Sequence, residues 1–154
     1  MPLVSGWITN IASTRYSELE VLWNMPLETL LSKVIKFERV ERNIKAGNLE
    51  ALAITASGYT SGESVSFYQG VDSLNNWEHP HRLGIRTQLG LEHLMASSAI
   101  PALFPAVKIN REYFGDGAIR QLAPLSPAIQ LGADRILVVG VSSKVARPTK
   151  GAAP

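Results

Sequence analysis

The sequence predicts an α/β layered fold. Three stretches carry that expectation: a segment of helical period after Pro26, a pair of β-rich segments around a glycine turn between Leu49 and Gly70, and a helix, loop and apolar run from Pro127 to Val141. Helices alternating with strands in this way cover a sheet, and do not form a bundle or a sandwich. The chain has 154 residues, 45% of them hydrophobic and 18% charged. That is enough for one domain with a core and too apolar for disorder.

Residues 1–24 show no clean period, although Trp7, Ile8, Ile11, Leu19, Val21, Leu22 and Trp23 are apolar. Pro26 suits a first helical turn, and Leu27, Leu30, Leu31, Val34 and Ile35 then recur on one helical face. Glu38 with Arg42, and Glu41 with Lys45, are i,i+4 pairs on the opposite, solvated face. Gly47 and Asn48 should end this helix. Ile54, Thr55, Val65 and Phe67 flank Thr60-Ser61-Gly62, which reads as a hairpin. Residues 71–88 are polar and read as an irregular surface loop.

Leu91–Ala99 should form a short helix that stops before Pro101, because a residue preceding proline avoids helical angles. A second hairpin is expected from Val107–Ile109 and Tyr113–Phe114 around Asn110-Arg111-Glu112. Pro127–Leu131 makes one or two helical turns ended by Gly132. Arg135–Val141, "RILVVGV", is a continuous apolar run and predicts a strand buried on both faces. A complete α/β unit usually begins with a central strand of that kind, and this chain does not. The domain is therefore expected over 1–145, with 146–154 a loose tail.

Charge and composition exclude several functions. The formal charge is +2 with scattered basic residues, so no nucleic-acid footprint is present. The chain has no cysteine, hence no disulfide or thiolate metal site, which fits a reducing, cytoplasmic compartment. The N-terminal "MPLVSGWITN" lacks the pattern of a secretory signal, and no apolar stretch reaches the roughly 20 residues of a membrane span.

Four groups could carry chemistry. His79-Pro80-His81 lacks a third metal ligand at suitable spacing and reads as loop. His93, among apolar neighbours on a short helix, reads as a core or surface histidine. The G-x-S-x-G elbow of a serine hydrolase needs serine on a strand-to-helix turn. The one glycine pair at that spacing, Gly58 and Gly62, encloses Thr60 and leads into a strand. The fourth is Gly115-Asp116-Gly117-Ala118, an acid between two glycines. Asp116 there is either a turn cap or one member of a catalytic pair.

"HLMASSAIPALFPAVKINREYFGDGAIRQLAPLSPAIQLGADRILVVGV" resembles the second half of the patatin-like phospholipase family. Asp116-Gly117-Ala118 matches that family's D-G-G or D-G-A motif, and Ala96–Pro105 matches its A-S-x-A-I-P-x-x-F-P run. "NIKAGNLEALAITASGYTSG", from Asn43, resembles an earlier strand and turn, so the likeness spans about residues 40–143.

The resemblance implies a three-layer α/β/α fold lacking its N-terminal strands, and a lipid acyl hydrolase using a Ser-Asp dyad. Asp116 would be the base, supported by Gly115, Gly117 and Ala118, with the flanking glycines admitting the serine loop. No cofactor or metal is implied. The partners would be a lipid or acyl-ester substrate, a membrane surface, and an upstream segment bearing the glycine-rich oxyanion loop and the serine. Without that serine the chain should be inactive alone. The alternative is a degenerate, non-catalytic module for binding or assembly. "AIPALFPAV" would be acyl-chain lining or ordinary core.

Overall fold

The structure, a computed structural model, describes residues 26–121 and 123–140. It is an α/β fold built on one mixed sheet of six strands. They are β1 (Ala51–Gly58), β2 (Ser64–Gly70), β3 (Trp77–His79), β4 (Arg82–Arg86), β5 (Val107–Ile109) and β6 (Glu112–Asp116), in the order β3-β4-β2-β1-β6-β5.

The first described residues are helical over 26–34 (α1), and a second helix, α2 (Glu38–Lys45), follows. One helix was expected here. The break falls where Phe37 turns onto the hydrophobic core, and the helix restarts behind it. The Glu41–Lys45 pair forms at 2.5 Å on the exposed face, and Gly47 ends the helix at φ +72°. Leu30 and Val34, expected on a buried face, are exposed.

The β1–β2 hairpin forms as expected, antiparallel, with Gly62 at φ +73° in its turn. Its two faces differ. Leu52, Ile54 and Ala56 of β1 join Val65 and Phe67 of β2 in the core, together with Phe114, Ile109, Leu89 and Ala96. Phe67 meets Phe114 edge-on, their centroids 5.2 Å apart. The helix α3 (Leu91–Ser98) covers this face and contributes Ala96. Ala51, Ala53, Thr55 and Ser57 alternate onto the other face with Ser64, Ser66 and Tyr68. There Thr55 and Ser66 share a hydroxyl hydrogen bond of 2.9 Å. The helix α4 (Ser126–Gln130) lies over this face, with Pro127 beside the small polar Ser64 and Ser66 and near Trp77, which stacks on Tyr68.

Two expectations are corrected. Residues 71–88 are no irregular loop: β3 and β4 form a hairpin there, turning at His81 (φ +61°), and β4 pairs parallel with β2. Arg82-Leu83-Gly84-Ile85-Arg86 does alternate with period two, but polar flanks dilute the signal. Arg86 also ties the returning chain down, donating to the carbonyls of Gly70 (2.9 Å) and Val71 (2.8 Å).

The second correction concerns Arg135–Val141. Residues 136–140 form no strand, and Leu137, Val138 and Val139 are 90%, 65% and 84% exposed. Apolarity predicts burial only where neighbouring strands offer hydrogen bonds. The described sheet ends at β3 and β5, and neither pairs with this run. Val141 and the tail 146–154 lie outside the described residues, as does the start of the chain.

Candidate active site

Asp116 is the last residue of β6, beside the central strand β1, with Ala56 as its register partner. Both flanking peptide units are tied. The Asp116 N–H donates to the carbonyl of Ala99, just past the end of α3, at 2.9 Å. The Asp116 carbonyl accepts from the Ser57 hydroxyl at 2.8 Å. A single 3₁₀ turn, Gly117–Ile119, begins directly after it, and Asp116 Oδ1 accepts from the Ala118 N–H at 2.9 Å. That is a side-chain cap on a helical start. Oδ2 makes no hydrogen bond among the described residues, and the residue is partly exposed. One carboxylate oxygen is therefore held, while the other is left without a partner among the described residues.

The neighbouring glycines have their own packing reasons. A Cβ on Gly115 would run into the Tyr59 ring and hydroxyl; one on Gly117 would run into the main-chain carbonyl of Thr55. Both spaces expected to admit an incoming loop are filled by this chain. The β1–β2 turn is itself clamped to β6. Glu112 Oε1 accepts from the Thr60 N–H (3.1 Å) and the Ser61 N–H (2.7 Å), and the Tyr59 N–H donates to the Tyr113 carbonyl at 2.9 Å. From the far side of Asp116, Arg120 reaches the Gly62 carbonyl at 3.3 Å. Ser57 and Tyr59 thus pack against the Gly115–Asp116 end of β6, while Glu112 at its other end clamps the β1–β2 turn; no sequence signal linked them, because their partners lie more than fifty residues away.

No serine among the described residues donates to the Asp116 carboxylate. Ser57 reaches only its main chain and is wholly buried, which leaves it no access to a substrate. Apolar side chains do stand open nearby. Ile100 follows the residue bonded to the Asp116 N–H, and Ile100, Leu103 and Ile119 are 43%, 61% and 49% exposed. For Ile100 and Leu103, core packing is ruled out. Two grooves, of about 490 and 340 Å³, flank the sheet, and Asp116 lines neither.

The histidines lie apart from Asp116. His79 Nε2 is 3.0 Å from the side-chain amide of Gln130, and His81 occupies the β3–β4 turn. His93 is a core residue: 4% exposed, edge-on to Phe67, with Nδ1 accepting from the Gly90 N–H at 3.1 Å. Burial pushes its imidazole below the ordinary value, opposed by the Glu92 carboxylate 3.2 Å away. A lowered folded value means that the neutral ring is favoured in the native state. The associated stability is present above the unfolded value of about 6.5 and is lost as pH falls through it toward the folded value. The melting temperature should therefore fall as pH drops below about 6.5, and His93→Gln should flatten that slope. An equal slope in the variant would assign the acid sensitivity to other groups.

The sheet thus carries a half-capped carboxylate at the end of a strand beside its centre, within an α/β fold. The chain belongs to the patatin-like phospholipase family, whose sequence model matches residues 10–129. The match begins upstream of the motifs that first suggested it and stops before the exposed apolar run. No curated protein and no solved structure matches the chain. No helix among the described residues is long and apolar enough to cross a membrane.

Proposed function

We propose that this region supplies the base-bearing part of a lipid acyl-hydrolase site, with Asp116 as the base of a Ser-Asp dyad. The observation that carries the reading is the state of the carboxylate: Oδ1 is held by the Ala118 N–H, and Oδ2 has no hydrogen-bond partner among the described residues. Both stand within the stretch that matches the family. A serine hydroxyl becomes an effective nucleophile when a base takes its proton. Oδ2 would accept that proton as the serine oxygen bonds to the ester carbonyl carbon. The leaving alcohol would take the proton back when the tetrahedral intermediate collapses, and water would then release the acyl group by the same route. Main-chain N–H groups would hold the oxyanion. The exposed Ile100, Leu103 and Ile119 suit the acyl part of a lipid ester, presented at a membrane surface.

The serine would come from a segment carrying G-x-S-x-G, which these 154 residues do not contain. The chain by itself should therefore neither hydrolyse short aryl esters nor take up a fluorophosphonate probe. Mass spectrometry after probe treatment is the test. Stoichiometric labelling of any serine would sink the proposal.

One observation favours the second reading, a non-catalytic module for binding or assembly. Asp116 already has a structural task, because its Oδ1 caps the 3₁₀ turn.

A further inference from the structure

Ser57 is a polar residue in a central strand and is 0% exposed. A buried hydroxyl without a partner is costly. Among the described residues its single hydrogen bond is donated to the Asp116 carbonyl, at 2.8 Å. The register gives that bond its meaning. Ser57 faces Gly115, and the β1–β6 ladder ends one step on, at Ala56 and Asp116. The hydroxyl thus crosses diagonally to the last paired residue, where Gly117 turns the chain away into the 3₁₀ turn. On the other side the Asp116 N–H is fixed by the Ala99 carbonyl. With the peptide units before and after it both tied, little freedom beyond its side-chain torsions remains to Asp116, and the Ala118 N–H takes up Oδ1.

We propose that Ser57 is a positioning residue for Asp116: its buried hydroxyl fixes the peptide that ends β6 and so directs the carboxylate, holding Oδ1 on Ala118 and leaving Oδ2 without a partner among the described residues. Its bearing on catalysis rests on the reading of Asp116 as the base. An alanine would fill the same space equally well if Ser57 were only packing.

Amide hydrogen exchange on the full 154-residue chain separates these cases. Ser57→Ala should speed exchange at Ala118 by roughly two- to tenfold, the effect of one lost hydrogen bond. Exchange at Val65 and Phe67 in β2 should stay unchanged. Ser57→Thr, which keeps the hydroxyl, should restore slow exchange at Ala118. In an Asp116→Ala background, Ser57→Ala should add nothing at Ala118, because the carboxylate that conveys the effect is gone.

Equal acceleration at Ala118, Val65 and Phe67 would make Ser57 a general stability residue and overturn the proposal, as would no change at Ala118 or a Ser57→Ala chain that does not fold. The base reading fails separately. If Asp116→Asn leaves turnover intact in a chain that also carries the oxyanion loop and an elbow serine, while the exchange pattern holds, Ser57 positions a turn cap and not a base.

Discussion

Asp116→Asn, in a chain that also carries the oxyanion loop and an elbow serine, should lower turnover by roughly 10²–10⁴-fold, the usual contribution of a general base. That corresponds to about 3–5 kcal/mol of barrier at 1.36 kcal/mol per decade. The structure explains why folding should survive the change. The Ala118 N–H bonds to Oδ1, and an asparagine carbonyl oxygen can accept the same bond. The Ala99 and Ser57 contacts are to main-chain atoms and do not involve the carboxylate. The amide lacks only the capacity to take a proton. The measurement is turnover beside melting temperature. A cap without catalytic duty would show the reverse pattern, a melt lowered by on the order of 1 kcal/mol with turnover within a few-fold. That result would remove Asp116 from the mechanism.

Gly117→Val should cost about 3 kcal/mol of folding stability, the upper part of the range for overpacked sites. The atom in the way is the carbonyl of Thr55, main chain of the central strand β1. It cannot retreat without opening the Ala56–Asp116 pairing at the end of β6. Gly115→Ala is the control. Its added methyl meets the Tyr59 ring, which is 42% exposed and can swing toward water, so the cost should stay below about 1 kcal/mol. Thermal melts of the two variants should differ by several degrees, at roughly 2–4 °C per kcal/mol for a chain of this size. Equal melts would mean that both glycines serve something other than the packing of this chain, such as an approaching loop.

Local features were legible where the residues themselves set the geometry. Gly62, Gly47 and Gly132 adopt positive φ at the turns where they were expected, and Leu91–Ser98 stops short of Pro101. The errors came where a neighbour decides. Leu83 and Ile85 became strand because β2 offers β4 a parallel edge, a partner that composition does not reveal. Leu137–Val139 have every attribute of a buried strand and stand exposed, because no described strand pairs with them. The candidate site divides the same way. Position 116 stood out as an acid between glycines within an ordered series of family-like motifs, whereas the Ser57 hydroxyl, the Tyr59 ring and the Glu112 clamp are products of the β1–β6 register.

The unlike faces of the sheet also set how it can open. On the α3 side, separation would wet Phe67, Ala96, Leu89 and Phe114, and each square ångström of apolar surface costs about 25 cal/mol to hydrate. On the other side, α4 has no buried residue and rests over Ala51, Ala53, Thr55, Ser64 and Ser66. Lifting α4 hydrates hydroxyls, methyls and part of the Trp77 ring, with a smaller change in heat capacity than release of α3. The sheet is thus latched on one side and hinged on the other: α4 can come away as a low-energy local excursion, while release of α3 amounts to unfolding.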